Sequence, residues 1–148
     1  MNKILVFGTF DGLHEGHLAF LRQARTGADG TRTGTETGSE KVWLTAVVAR
    51  DETVELLKGQ RPIRSLNARM KELKDFGLVD EVVAGDEKIG RWEVIGKHNP
   101  HVIVLGYDQN DLRTALLGHI RQYDLETEVR VAEGHEPDQL HSSLLNKE

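Results

Sequence analysis

The chain of 148 residues contains no cysteine. Disulfide bonds and thiolate catalysis are therefore excluded, and nothing in the composition indicates a disulfide-stabilised secreted domain. Apolar runs long enough to span a membrane are also missing. The first three residues lead directly into an apolar segment without the hydrophobic region of a signal peptide, so we expect a cytoplasmic protein that is not held in a membrane.

Positive charge is in short supply as well. The chain has 24 acidic and 19 basic residues, which gives a formal net charge of −5. A surface that binds the phosphate backbone of nucleic acid is normally basic, so a small-molecule partner is the better expectation. The length is that of one domain, and we treat residues 1–148 as a single folding unit.

A glycine-rich segment with two histidines is the most informative part of the sequence. Residues 8–17 read GTFDGLHEGH, between an apolar run predicted to form a strand and an apolar periodicity that predicts a helix. Such a turn presents unpaired backbone N–H groups at a helix N-terminus, which suits a phosphate. The segment matches neither of the two best-known phosphate-binding loops. Instead of a lysine it carries His14 and His17, one helical turn apart, whose N–H groups can donate to one oxyanion.

Two other interpretations of the histidine pair remain open from the residues alone. A zinc site would need further ligands, and because residue 18 is Leu the pattern of zinc proteases is absent. Two solvent-exposed histidines in a turn are the other alternative. The preceding strand and the three glycines favour the phosphate site.

Alternating strand and helix signals predict an α/β fold, a Rossmann-like doubly wound parallel sheet of about five strands. A nearly continuous apolar run at 42–49 predicts a central parallel strand, and residues 101–106 predict a further strand. Helical spacing predicts buried faces that include Val54 and Leu57 in one helix and Phe76 in the next. Residues 26–41 lack large apolar side chains and predict a flexible surface loop, either a lid over the site or a neutral insertion.

The motif GTFD, followed by HxGH, resembles the nucleotidyltransferase superfamily that includes glycerol-3-phosphate cytidylyltransferase, phosphopantetheine adenylyltransferase and the archaeal-type FAD synthases. Later segments are most similar to the FAD synthase branch, and the resemblance covers nearly the whole chain. Those segments are VARD at 48–51, KGxRP at 58–62, VDEVV at 79–83 and GYDQ at 106–109.

The resemblance implies a site at the carboxyl ends of the parallel strands, where ligands of such sheets bind. His14, His17 and Lys58 are the expected catalytic residues. Lys58 belongs to a cationic loop, residues 58–64, with Lys58, Arg61 and Arg64 as its cations. From charge alone this loop could equally be solvated. The expected nucleotide contacts are Gly8, Thr9, Phe10, Gly16, His17, Gly106, Tyr107, Asp108, Ser142 and Ser143.

Three further residues are candidates for contacts with the acceptor or with phosphate. They are Asp11, Arg61 and Arg69. Asp11 is also a candidate metal contact. Arg69 is matched to an arginine that follows a glutamate in related cytidylyltransferases, whereas it follows Ala68 here. Many relatives place an arginine after the serine pair. This chain has only Lys147 nearby, which is either a substitute or part of a frayed terminus.

The resemblance implies transfer of AMP from ATP to a phosphate-bearing acceptor, FMN, which gives FAD and pyrophosphate with the help of Mg²⁺. A cytidylyltransferase that uses CTP and glycerol 3-phosphate, or a similar alcohol phosphate, is the alternative. A nucleotide-binding module without turnover is the second alternative. Because relatives are often dimers, the resemblance also raises a homodimer, which the sequence leaves open.

Overall fold

The computed structural model describes residues 2–26, 42–88, 91–107 and 109–132. Strands and helices alternate along the chain, as the apolar patterns predict. In chain order the elements are β1 (Asn2–Gly8), α1 (Glu15–Arg25), β2 (Val42–Val48), α2 (Asp51–Lys58), α3 (Leu66–Phe76), β3 (Glu81–Ala84), α4 (Glu93–His98), β4 (Val102–Leu105), α5 (Asn110–Gln122) and β5 (Glu128–Val131).

The five strands form one parallel sheet in the order β3-β2-β1-β4-β5. This confirms the predicted fold class. β1 lies in the centre, paired with β2 from Asn2 to Gly8 and with β4 only from Ile4 to Val6. The chain passes from β1 to β2 on one side and later returns to β4 on the other. The crevice between the carboxyl ends of β1 and β4 is therefore the topological switch point, where open parallel sheets bind ligands.

Alternate residues of the central strands pack on opposite faces of the sheet, because successive side chains of a strand point in opposite directions. Ile4 and Val6 belong to a buried cluster with α1 and α3, whereas Leu5 belongs to a second cluster with α4 and α5. Both faces of the sheet are thus covered, which explains why β1, β2 and β4 read as continuous apolar runs.

Local signals set the helix boundaries. The Ser65 hydroxyl accepts a hydrogen bond from the N–H of Ala68 at 3.2 Å and caps α3. Gly77 ends that helix with a left-handed φ of 83°. The predicted buried face of α2 is wrong at Leu57, which is 67% exposed. Val54 is buried, and the next position on that side, four residues on, is taken by Lys58.

The buried face of α3 also ends earlier than predicted. Leu73 is buried, but Phe76 at the last residue of the helix is half exposed. The predicted loop at 26–41 lies outside the described residues from 27 onward. Among the helices that the structure describes, none has the length and apolar character needed to cross a bilayer.

Candidate active site

The motif turn, residues 9–14, joins the end of β1 to the start of α1 at the switch point. The backbone oxygen of Gly8 accepts a hydrogen bond from the N–H of Ala49 at 2.9 Å, so the ends of β1 and β2 stay together. On the other side, pairing of β1 with β4 stops at Val6 and Val104. The turn therefore lies at the edge of an opening between strands, with the N-terminus of α1 beside it.

The two histidines begin α1 and hydrogen bond to its backbone. His14 is the N-cap residue, and its Nδ1 accepts a hydrogen bond from the N–H of Gly16 at 3.0 Å. The Nδ1 of His17 accepts a hydrogen bond from the N–H of His14 at 3.3 Å. These two bonds form a capping box in which imidazoles take the places usually held by Ser or Thr and by Glu or Gln.

The capping box decides which ring nitrogen carries the proton. A neutral imidazole has one donor nitrogen and one acceptor nitrogen, and in both rings Nδ1 is the acceptor. The hydrogen-bond network therefore assigns the proton to Nε2 in His14 and in His17. The ring centroids are 4.0 Å apart, so two Nε2–H donors are held side by side at a helix N-terminus. That arrangement suits the oxygens of a phosphate.

Two glycines make room for this arrangement. A Cβ on Gly16 would lie 3.0 Å from Cε1 of His14, so the ring would have to shift by a few tenths of an ångström from the position in which it caps the helix. A Cβ on Gly8 would lie 2.8 Å from the ring of Phe10. The motif therefore needs these glycines for the packing of its own side chains.

The buried side chain of Phe10 packs beside His17. This side chain is only 2% exposed and belongs to the core, and the Phe10 φ of 51° lies in the left-handed region. Its ring centroid is 5.6 Å from that of His17. Because the ring is buried, any nucleotide contact of the kind predicted for Phe10 would have to come from its backbone.

Lys58, the last residue of α2, reaches the motif turn. Its Nζ donates to the hydroxyl of Thr9 at 3.4 Å, so the cation lies beside the proposed phosphate position. Arg61 instead pairs with carboxylates, at 3.0 Å from Glu55 and 4.0 Å from Asp51, and remains exposed. The structure thus brings Lys58 to the histidine turn and holds Arg61 among acidic side chains nearby.

Asp11 anchors the cationic loop to the motif turn. Its two carboxylate oxygens accept hydrogen bonds from the backbone N–H groups of Ile63 and Arg64, at 2.7 and 3.0 Å. Both oxygens are therefore engaged with the protein. This placement supports a role in positioning the loop and gives no support to the metal or acceptor contact predicted for Asp11.

Arg69 is fully buried, at 0% exposure, beneath the motif turn. Its guanidinium donates to the backbone oxygens of Thr9, Ala49 and Arg64 at 2.9, 2.8 and 3.0 Å, and it pairs with the carboxylate of Asp51. A group enclosed in this way does not face a ligand. The structure therefore argues against the phosphate or acceptor contact predicted for Arg69.

On the β4 side, Gly106 and Tyr107 follow the strand as predicted, and Tyr107 is exposed. Sequence reasoning missed the role of Gln109. Its Oε1 accepts from the N–H of Gly106 at 2.6 Å and its Nε2 donates to the backbone oxygen of Phe7 at 3.2 Å. The side chain bridges β1 and β4 beyond the point where their own pairing stops. The sequence signal that could have indicated this role is the position of Gln109 at the end of the GYDQ segment.

Four residues of the predicted site lie outside the described residues: Asp108, Ser142, Ser143 and Lys147. Their predicted contacts remain predictions. Within the described ranges, no three histidine or acidic side chains gather in a way that could hold a metal ion. The described residues therefore do not provide a protein cage for Mg²⁺, an ion that commonly binds through substrate phosphates and water.

Comparison with known proteins agrees with this geometry. A family model described as cytidylyltransferase-like matches residues 5–143. An FAD synthase of Thermococcus sibiricus is 39% identical over 127 residues, which cover 86% of this chain and 77% of that protein. An FAD synthase of Methanobrevibacter smithii is 32% identical over 143 residues, which cover 97% of this chain and 86% of that protein.

Solved structures share the fold. A lipopolysaccharide core biosynthesis protein from Thermoplasma volcanium has a TM-score of 0.76 and 26% identity, with 92% of this chain and 99% of that chain covered. A pantothenate synthetase from Thermus thermophilus, at 19% identity and a TM-score of 0.57 over 95% of this chain and 59% of that chain, shows likeness of fold alone. The chain belongs to the cytidylyltransferase-like family of nucleotidyltransferases, and its curated relatives group it with the FAD synthases.

Proposed function

We propose that this nucleotidyltransferase transfers AMP from ATP to FMN and so forms FAD and pyrophosphate. The observation that carries the proposal is the pair of Nε2–H donors of His14 and His17 at the N-terminus of α1, beside the switch point of the sheet. The FAD synthase relatives supply the substrate pair.

The reaction needs charge stabilisation more than proton transfer. An oxygen of the FMN phosphate attacks the α-phosphorus of ATP, the new P–O bond forms, and the bond to the β-phosphate oxygen breaks as pyrophosphate leaves. The attacking phosphate is already ionised near neutral pH, so a strong general base is unnecessary. Catalysis then depends on alignment and on neutralising the charge that develops around the α-phosphate.

Different described residues stabilise the charge at different phosphates in this proposal. The two Nε2–H groups donate to oxygens of the α-phosphate and of its bridge to the β-phosphate. Lys58, next to Thr9, neutralises the β- or γ-phosphate. Mg²⁺ bound through the phosphates of ATP would supply further positive charge. Gly106 and Tyr107 line the β4 side of the crevice, where the nucleoside binds in this proposal.

The proposal includes a cytoplasmic location and a homodimer. The location is the expectation drawn from the sequence. The homodimer follows only from the family resemblance. Light scattering on the purified protein tests the assembly: a mass near twice 16.6 kDa supports the dimer, and a mass near 16.6 kDa contradicts it.

The decisive experiment measures pyrophosphate release by the purified protein with Mg²⁺, with ATP or CTP and with FMN or glycerol 3-phosphate in all four combinations. We expect release with ATP and FMN alone, and formation of FAD identified by chromatography. Release with CTP and glycerol 3-phosphate would instead establish the cytidylyltransferase alternative. ATP binding without release in any combination would point to a nucleotide-binding module. A His14→Asn variant is the control for contaminating activity.

A further inference from the structure

The buried guanidinium of Arg69 joins three separate segments of the chain. It donates to Thr9 in the motif turn, to Ala49 at the end of β2 and to Arg64 in the cationic loop. An arginine can do this because its donors are spread over a rigid planar fork. Arg69 itself lies 60 residues from Thr9 and 20 from Ala49 in the sequence.

Thr9 connects this guanidinium with the catalytic lysine. Its backbone oxygen accepts from Nη1 of Arg69 at 2.9 Å, and its hydroxyl accepts from Nζ of Lys58 at 3.4 Å. A shift of Thr9 would therefore move the hydroxyl that Lys58 contacts. The buried Arg69 thus holds the backbone of Thr9, and Lys58 contacts the hydroxyl of the same residue.

Asp51 connects the same guanidinium with the start of α2, the helix that carries Lys58. Its Oδ1 pairs with Nη2 of Arg69, and its Oδ2 lies 4.0 Å from Nη1 of Arg61. The ion pair of Arg69 and Asp51 thus links the motif turn, which Lys58 contacts, to α2, the helix that carries Lys58.

We propose that Arg69 is a positioning residue that sets the geometry of Lys58 against the motif turn, with Asp51 as its counter-charge. The proposal rests on the proposed function, because it gives Arg69 an effect on triphosphate binding without any contact to the ligand. Most of the loss on removing the guanidinium therefore passes through Lys58. A purely structural role would instead weaken the fold and leave the contribution of Lys58 intact.

A double-mutant cycle tests this with Arg69→Lys and Lys58→Ala, alone and combined, read as the dissociation constant for ATP by calorimetry. Lysine keeps the charge but presents one donor centre, which cannot serve three carbonyls and a carboxylate together. We expect Arg69→Lys to raise the dissociation constant about tenfold when Lys58 is present and less than about twofold in the Lys58→Ala background. Equal factors in both backgrounds would overturn the proposal.

Arg25→Lys is the matched control. The Arg25 guanidinium also bridges a backbone oxygen, that of Leu78, and a carboxylate, that of Asp80, but it lies at the amino end of the strands. We expect this variant to melt at a lower temperature and to leave the dissociation constant for ATP unchanged in both backgrounds. A Lys58-dependent effect of Arg25→Lys as large as that of Arg69→Lys would contradict a role specific to Arg69.

Asp51→Asn is the milder variant if Arg69→Lys does not fold, because it keeps an oxygen that accepts from Arg69 and removes only the charge. We expect the same dependence on Lys58, and additive effects would overturn the proposal here too. Because the cycle measures ATP binding and not turnover, it tests the role of Arg69 separately from the proposed reaction. Coupling without pyrophosphate release from any acceptor refutes the proposed reaction alone, whereas release with additive effects refutes the role of Arg69 alone.

Discussion

The backbone N–H of His14 donates to Nδ1 of His17, and the two ring centroids are 4.0 Å apart. The same two side chains therefore start α1 and present the proposed catalytic donors. Serine or threonine could also cap the helix, but neither side chain has an N–H that could donate to a phosphate. The cap and the donor of His14 are consequently two atoms of one ring, which substitutions can separate.

Replacing His14 by Asn or by Gln separates the cap from the donor. Asn places an oxygen near the position of Nδ1 and is a favourable N-cap, so His14→Asn should keep the melting temperature and lose about a hundredfold in turnover. Gln places its amide near the position of Nε2, so His14→Gln should retain more turnover and melt at a lower temperature. Steady-state kinetics and thermal denaturation check both. Equal turnover in the two variants would show that Nε2 is not the donor.

Gly16→Ala tests the space that the His14 ring requires. The added Cβ would lie 3.0 Å from Cε1 and 3.2 Å from Nδ1 of that ring, so the imidazole must shift by a few tenths of an ångström, and we expect its hydrogen bond to the helix to weaken. We expect turnover to fall by about tenfold or more, since misplaced catalytic groups lose much of their effect.

Gly118→Ala is the control for that variant. A Cβ at this position of α5 meets nothing within 4 Å, and alanine is the better helix former by about 1 kcal/mol. The variant should melt slightly higher with unchanged turnover. If Gly16→Ala also kept its turnover, the glycine would not be needed for the ring.

The fold and the histidine turn could be predicted because their signals are local. Strands buried on both faces give continuous apolar runs, as in Val42–Val48, and the helix caps Ser65 and Gly77 act on their own neighbours in sequence. The motif turn is likewise a single short segment. Its place at the switch point follows from the order of the parallel strands.

The roles of Asp11, Arg69 and Gln109 could not be predicted because their partners are distant in the chain. Arg69 donates to Thr9 across 60 residues, and Gln109 donates to Phe7 across 102. A charged side chain near a catalytic motif resembles a ligand contact in sequence. Whether it faces the ligand or is enclosed by backbone oxygens depends on the packing of α3 against the sheet, which no short pattern encodes.

Lys58→Ala should weaken the use of ATP chiefly through binding. In the proposed function the Nζ beside Thr9 neutralises the β- or γ-phosphate, so its loss removes attraction for the triphosphate in both ground and transition states. We expect KM for ATP to rise about tenfold and kcat to change less. Initial-rate kinetics at saturating FMN give both values.

Lys74→Ala is the control for the loss of a positive charge, because Lys74 lies exposed near the end of α3. It should leave KM for ATP unchanged. A large fall in kcat for Lys58→Ala with KM unaltered would instead place the cation at the reacting α-phosphate.

Gln109→Glu tests whether the amide bridge holds the crevice between β1 and β4. Glutamate keeps an oxygen for the N–H of Gly106 but sets a carboxylate against the backbone oxygen of Phe7, where the amide now donates. Two acceptors repel, so the strand ends should separate and carry Gly106 and Tyr107 with them. Because the proposed nucleoside site lies there, we expect KM for ATP to rise about tenfold.

Gln122→Glu makes the same chemical change and adds the same charge at the exposed end of α5. It should leave KM unaltered, which separates the bridge from a general effect of negative charge on ATP binding. Gln109→Met removes both hydrogen bonds without adding charge, and it should raise KM less than Gln109→Glu because no repulsion replaces them. If both variants at Gln109 bound ATP as the unaltered chain does, the bridge would stabilise the strands without shaping the nucleotide site.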